Sequence, residues 1–302
     1  MGAGPMDANR SNPESETEVT PTGHRPARTL EPARAILVAA GRGERLGFGL
    51  PKARVPLAGT PLFLHALGSL LEHPRVRDVF LVAPDDQAEL DAMMSLLGES
   101  FGPVASRSVR LVPGGAERQD SVLAALVALE EDNTPPDALV LVHDAARPLV
   151  RPDLVTRCLE AMEQRLPSGG QGDLPGLAGN EEAGWLPAGV VPGLSVRETL
   201  KLVYGDRVIN TQPREGLFAV QTPQVFRFGP LYQAHRRAHR YGLRATDDAA
   251  LLEWQGLPVR LVPGDPENLK VTFPGDLELA ERLLETRPRA RARSRGGHGS
   301  RS

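Results

Sequence analysis

The residues 39–61, AAGRGERLGFGLPKARVPLAGTP, follow directly on an apolar run, RAILVAA at 34–40. Glycines placed just after a buried strand let backbone N–H groups approach an anion closely. Two cations, Arg45 and Lys52, lie in the same loop. Fixed positive charge among backbone donors suits a polyphosphate whose charge must be neutralised during reaction. The loop is not a Walker A motif, because no G-x-x-x-x-G-K-[ST] string occurs. Nor is it a dinucleotide fingerprint: Gly41, Gly43 and Gly47 are spaced G-x-G-x-x-x-G, one residue too long. A carboxylate, Asp144, ends the apolar run ALVLVHD at 138–144. At the carboxyl end of a strand it suits Mg²⁺, which keeps several waters and bridges phosphates. His143 points to the opposite face and reads as structural. Arg147 reads as an anchor of the following loop on a carboxylate or carbonyl. Lys270 falls mid-strand among the apolar residues of NLKVT, 268–272, where a lysine needs a partner charge.

Other residues invite plainer readings. Asp247 and Asp248 resemble a metal-binding pair, but a first-turn acidic cap after Thr246 as N-cap is favoured. His235 and His239 have the i, i+4 spacing of a metal pair. They sit among Arg236, Arg237 and Arg240 with no nearby carboxylate, so a solvated basic face is expected. Asp120 belongs to the start of a helix, and Cys158 to a helix's apolar face.

The elements that must hold these groups alternate. Strands are expected at 34–40, 79–84, 110–115, 138–144, 188–192, 217–226, 258–264 and 268–272. Helices are expected at 61–72, 86–97, 117–131, 152–165, 229–241, 246–255 and 275–286. Continuous apolar strands spaced by helices imply a parallel sheet covered on both faces. Residues 167–187, PSGGQGDLPGLAGNEEAGWLP, break the pattern and read as a loop insertion.

Composition narrows the class. The chain has 302 residues, 40% hydrophobic and 24% charged, enough for one sizeable core. No apolar run approaches the ~18–20 residues of a membrane helix, and the N-terminus has no apolar h-region. The single cysteine excludes an internal disulfide and a Cys-clustered metal site. A cytoplasmic location fits. Residues 1–33 hold five acids against three bases, and 287–302 hold six arginines and no acid. Both ends are expected to be disordered. The net charge of −3 therefore hides a body, 34–286, at −7. The basic tail could touch nucleic acid, but a solvated tail is favoured.

The pattern A-A-G-x-G-x-R-x-G…P-K with L-x-G-x-P at 57–61 resembles the nucleotidyltransferases that activate sugar phosphates. Further blocks occur in matching order: GGAERQDSVLAAL (114–126), VHDAARPLV (142–150), TPQVF (222–226), TDDAALLE (246–253) and NLKVTFPGDLELAE (268–281). Together they resemble the 2-C-methyl-D-erythritol 4-phosphate cytidylyltransferase family of the non-mevalonate isoprenoid pathway. The resemblance covers about 34–285. It implies a Rossmann-like α/β nucleotidyltransferase fold with a mostly parallel central sheet and a protruding dimerisation arm near 195–215. It implies CTP and methylerythritol phosphate as substrates, Mg²⁺ or another divalent cation as cofactor, and a homodimer through arm exchange. Arg45 and Lys52 would be catalytic. Ala39, Ala40, Gly41, Gly43, Gly115 and Ser121 would bind the nucleotide, and Asp144 the metal. Thr199, Arg214, Thr222, Thr246 and Lys270 would bind the acceptor, with Thr199 and Arg214 completing the neighbour's site. Ala116 departs from the family, which often has Asp there, a difference that bears on base selectivity.

Three alternatives stand beside this reading. A cytidylyltransferase for another polyol phosphate, such as ribitol 5-phosphate, would share the fold and CTP site; Arg214, Thr222 and Thr246 favour methylerythritol phosphate. A non-catalytic nucleotide-binding or nucleic-acid-associated protein would use the tail, but retention of Arg45 and Lys52 argues against lost catalysis. An NAD-dependent oxidoreductase needs G-x-G-x-x-G, which is absent, and an acid ending the second strand, which here ends in Ala83-Pro84-Asp85.

Overall fold

A computed structural model of the chain describes residues 32–41, 43, 46–102, 108–165 and 185–287. The acidic head up to residue 31, most of the 167–187 insertion, Arg45 and the tail from 288 lie outside the described residues.

The central strand is β1 (Ala33–Val38), flanked by parallel partners β4 (Val76–Ala83) and β6 (Leu139–Asp144). Strand β5 (Val109–Pro113) extends the parallel set beside β4. On the other side β11 (Gln224–Arg227) runs antiparallel to β6, and β7 (Gly189–Ser195) antiparallel to β11. Strand β10 (Phe218–Val220) pairs antiparallel with β7, while β12 (Val259–Pro263) pairs parallel with it. The expected mostly parallel α/β sheet is present, and its antiparallel pairs all involve β11 or β10.

Why β1 reads as an unbroken apolar run is clear from its two faces. Successive strand side chains alternate sides. Ala35 and Leu37 join one buried cluster, Ile36 the other. The first cluster is closed by Phe63, Leu67 and Leu70 of α1 (Leu62–Leu71) and by Leu154, Val155 and Cys158 of α4 (Pro152–Glu163). The opposite cluster takes Val122, Leu126 and Leu129 of α3 (Arg118–Glu131). It also takes Leu231 and Ala234 of α5 (Phe228–Tyr241) and Leu251 and Leu252 of α6 (Asp248–Trp254). Each fully buried Leu or Phe contributes about 1.5–3 kcal/mol, so neither helical layer is dispensable. Helix α2 (Gln87–Phe101) starts at Asp86, whose carboxylate accepts from Glu89 N. Helix α7 (Pro274–Thr286) packs Ala280 into a third cluster with Leu57 and Leu62, beside the short ribbon of β2 (Pro56–Leu57) and β3 (Thr60–Pro61).

Two sequence expectations are corrected. The run 217–226 is not one strand: it splits into β10 and β11 around Gln221–Pro223, where the Gln221 amide donates to Asp265 O at 2.9 Å. NLKVT is not a strand either. It is an extended loop tied at single points, with Val271 N donating to Ala146 O and Asn268 Nδ2 to Thr222 O.

Within the segment 195–215, β8 (Leu200–Tyr204) and β9 (Arg207–Gln212) form a separate antiparallel hairpin, while Ser195 still belongs to β7. Its two-residue turn is Gly205–Asp206, with Gly205 at φ +61°, a sign that suits the right-handed twist of hairpins. Leu202, Val203, Val208 and Ile209 on it are all about half exposed.

Candidate active site

A cavity of about 930 Å³ opens where β1, β4, β5 and β6 end in their carboxyl termini, the usual ligand position in an open α/β sheet. Its first wall is the loop after β1. Ala39, Ala40, Gly41 and Gly43 line it, and the loop folds back so that Lys52 N donates to Gly41 O at 3.1 Å. Gly43 makes that fold possible. Its φ is +74°, and a Cβ there would fall 2.7 Å from Lys52 Cα. Lys52 thus starts a 3-10 turn, Lys52–Arg54, pressed against the glycine and facing the cavity. Arg54 fixes the turn from outside by gripping both oxygens of Glu89, at 3.0 and 2.9 Å.

The second wall is the segment between β5 and α3. Gly114 has no room for a side chain, since a Cβ would meet Ala40 Cβ at 2.8 Å and Ser121 Oγ at 2.9 Å. The two walls therefore touch through glycine. Ser121 Oγ accepts from Gly115 N at 3.1 Å and donates to Glu117 O at 3.0 Å. Gly115, Ala116 and Arg118 complete this side.

Asp144 is the floor. Its Oδ1 accepts from Arg118 Nε at 3.0 Å and its Oδ2 from Lys270 Nζ at 2.7 Å. Burial alone would raise its pKa, but Arg118 and Lys270 outweigh that and hold the carboxyl well below the usual range. The same pairing raises the already high pKa of Arg118 against its own burial. Beneath the floor, Asp144 N donates to Thr222 Oγ1 at 3.1 Å. His143 Nε2 faces Arg147 O at 3.0 Å, so this nitrogen carries the proton and Nδ1 accepts from the Thr222 hydroxyl at 3.0 Å. Complete burial lowers the pKa of His143 to about 4, which keeps it neutral. Arg147 donates to the carbonyls of Asn268 and Val220, fixing the loop that carries Lys270.

The family model described as 2-C-methyl-D-erythritol 4-phosphate cytidylyltransferase matches residues 33–171 and 180–286. The chain belongs to that family. It is 42% identical over 251 residues to the cytidylyltransferase of Cereibacter sphaeroides, covering 83% of this chain and 96% of that one. The protein of the same name from Corynebacterium diphtheriae is 38% identical over 253 residues, 83% of this chain and 93% of its own. Among solved structures, the cytidylyltransferase of Thermus thermophilus superposes with TM-score 0.60 at 32% identity, covering 83% and 98% of the two chains. That of Francisella tularensis gives 0.64 at 25% identity, covering 83% and 100%.

Of the residues the cytidylyltransferase resemblance singles out, Ala39, Ala40, Gly41, Gly43, Lys52, Gly115, Ser121, Asp144 and Lys270 line one cavity. Thr199, Arg214 and Thr246 do not line it and are exposed, with Arg214 Nη1 donating to Arg197 O. Thr222 is buried under the floor, its hydroxyl engaged by Asp144 N and His143. Arg118 was not singled out, although it lines the cavity and grips Asp144. The signal was there, a basic residue in the GGAER segment. The readings of Asp247, Asp248 and His235 are corrected. The N-cap of α6 is Asp247, not Thr246, and its carboxylate accepts from Ala250 N at 3.0 Å. Asp248 is no solvated cap but is buried, pairing with Arg118 and with His235. His235 is buried too, so only His239 belongs to the exposed face.

Proposed function

We propose that the chain transfers the cytidylyl group of CTP to 2-C-methyl-D-erythritol 4-phosphate in the cytoplasm. The products are 4-diphosphocytidyl-2-C-methyl-D-erythritol and pyrophosphate. Family membership carries the reaction, and one observation supports its location: Lys52, Asp144 and Lys270 line the same cavity as the glycines of both walls. An oxygen of the acceptor phosphate bonds to the α-phosphorus, and the α–β bridging bond breaks to release pyrophosphate. A phosphate monoester with a second pKa of about 6 is largely a dianion at neutral pH, so the nucleophile needs no general base. The buried groups agree with that economy. His143 is neutral and sealed below the floor, and burial pushes the Cys158 thiol up to about 12.

What the reaction needs is alignment of two anions and stabilisation of charge at the α-phosphate. Lys52 would serve the triphosphate, together with Arg45 of the same stretch of sequence. Lys270 would turn from Asp144 to the acceptor phosphate. The described cations lining the cavity, Lys52, Arg118 and Lys270, face four acids there, Asp85, Asp86, Glu117 and Asp144. That balance leaves charge on a bound triphosphate unneutralised, which a divalent cation would offset. Mg²⁺ takes one or two carboxylates and shares the rest of its shell with phosphate and water. Asp144 would serve as that carboxylate once Lys270 turns to the acceptor phosphate, which frees Oδ2 while Oδ1 stays with Arg118. Among the described residues, no helix is long and apolar enough to cross a membrane.

The test is pyrophosphate release from CTP, Mg²⁺ and a panel of acceptors. Methylerythritol phosphate is the expected acceptor; turnover of ribitol 5-phosphate in its place refutes the assignment.

The hairpin β8–β9 supports a homodimer. Its half-exposed Leu202, Val203, Val208 and Ile209 would be covered by a second copy, and Thr199 and Arg214 at its base lie away from this chain's cavity. They would complete the neighbour's acceptor site. A heterodimer of one Lys52→Ala chain and one Arg214→Ala chain tests this. Arms acting in trans leave one intact site, so about half the wild-type rate is expected. Arms acting in cis leave none, and an inactive heterodimer refutes the exchange.

A further inference from the structure

The ion pairs of the cavity floor continue inward, away from solvent. Asp248 is 1% exposed and His235 is fully buried. Asp248 Oδ2 accepts from Arg118 Nη2 at 2.8 Å, and its Oδ1 faces His235 Nε2 at 3.0 Å. Burial would raise the pKa of Asp248, but Arg118 and His235 bring it down to about 2. A carboxylate this deep costs stability unless it is fully paired, and well-packed apolar residues would do as well or better. Its neighbours would accept one: Leu231, Ala234, Leu251 and Leu252 form the surrounding cluster. Nor is Asp248 needed to start α6, because Asp247 already caps the helix and is held by Gln224 Nε2 at 2.7 Å. Structure alone gives no reason for the charge.

Arg118 supplies one. Its Nε goes to Asp144 and its Nη2 to Asp248, two carboxylates on different elements. A planar fork gripped at two corners cannot turn about its stem. Nη1 has no partner among the described residues, and Arg118 lines the cavity. We propose that Asp248, steadied by His235, is a positioning residue that locks Arg118 so that its remaining N–H groups meet the triphosphate of the bound nucleotide. Resting on the cytidylyltransferase reading above, this adds Arg118 to the groups that touch CTP. It makes His235 and Asp248 a buried brace for that contact. Pre-aligned donors act because they need not reorganise when charge develops.

A double-mutant cycle on the full-length chain tests it, read as the Kd for CTP by calorimetry and as kcat/KM for CTP. Asp248→Asn keeps the shape and loses the charge; about tenfold weaker CTP binding is expected, with KM for the acceptor little changed. In an Arg118→Ala background the same substitution should change CTP binding by less than about twofold, because the group it positions is gone. His235→Leu should cost about threefold, and His235→Gln, which can still donate to Oδ1, should restore most of that loss. Equal losses in both backgrounds would mark Asp248 as merely structural and overturn the proposal, as would unchanged CTP affinity in a folded Asp248→Asn protein. If Asp248→Asn fails to fold, His235→Leu in the two Arg118 backgrounds is judged by the same criterion. A wild-type protein that binds CTP but transfers nothing to methylerythritol phosphate refutes the cytidylyltransferase reading, while the binding cycle still decides on Asp248.

Discussion

Lys52→Ala is expected to lower kcat by about a hundred- to a thousandfold while leaving the melting temperature nearly unchanged. The size follows from the role proposed for the ammonium. Removing one donor from a site that stabilises developing charge costs about 3–4 kcal/mol of transition-state stabilisation. The small thermal effect follows from how the turn is held. Backbone bonds from Lys52 N to Gly41 O and from Val55 N to Lys52 O, with the Arg54–Glu89 pair, shape it and are left in place by the substitution. Lys52→Arg should recover little, since a branched fork does not reproduce a compact point charge at the same reach. Single-turnover rates with saturating CTP separate chemistry from binding. Near-normal turnover in a folded Lys52→Ala protein would remove Lys52 from the mechanism.

The first loop was readable because its chemistry is local. Gly43 and Lys52 are nine residues apart, and the loop folds back through the positive φ of Gly43 against Lys52. Asp144 was readable for the same reason: a carboxylate ending an apolar strand must lie at a sheet's carboxyl end. Its partners were only half readable. Lys270 was expected to find its counter-charge in the substrate phosphate, whereas here it pairs with Asp144. Arg118 and Asp248 are 130 residues apart and meet because α3 and α6 pack on the same face of the sheet. No periodicity encodes such a pairing. His235 misled because its neighbours Arg236, Arg237 and Arg240 are polar, whereas helical geometry sends it inward with Leu231, Ala234 and Ala238. A buried carboxylate from another helix then pairs with its Nε2. NLKVT misled in the opposite sense. An apolar run predicts a strand, yet the segment is held by one backbone bond from Val271 N and by the side chains of Arg147 and Asn268 rather than by a ladder.

Asp144→Asn is expected to cut turnover by about a hundredfold or more and to raise the Mg²⁺ concentration needed for half-maximal rate by at least about tenfold. The substitution preserves shape and removes the one charge shared by Arg118 and Lys270. Asp144 is ionised at any working pH, because those two cations hold its pKa low against burial. Its loss therefore acts in two ways. Arg118 keeps Asp248 but exchanges a charged acceptor for a neutral amide oxygen, so one of its two grips weakens and its plane is freer. Lys270, with a side chain 44% exposed, can move towards solvent, so little stability is lost on that side. The measured melting temperature should fall only by a few degrees. Two roles for the carboxylate predict different metal responses. As a ligand, Asp144 sets the metal requirement, and the asparagine variant needs far more Mg²⁺. As a hub for Arg118 and Lys270 alone, it sets kcat, and the Mg²⁺ titration curve keeps its wild-type midpoint. An unchanged midpoint with reduced kcat would remove Asp144 as the metal ligand and leave it as the residue that holds two cations apart until the phosphates arrive.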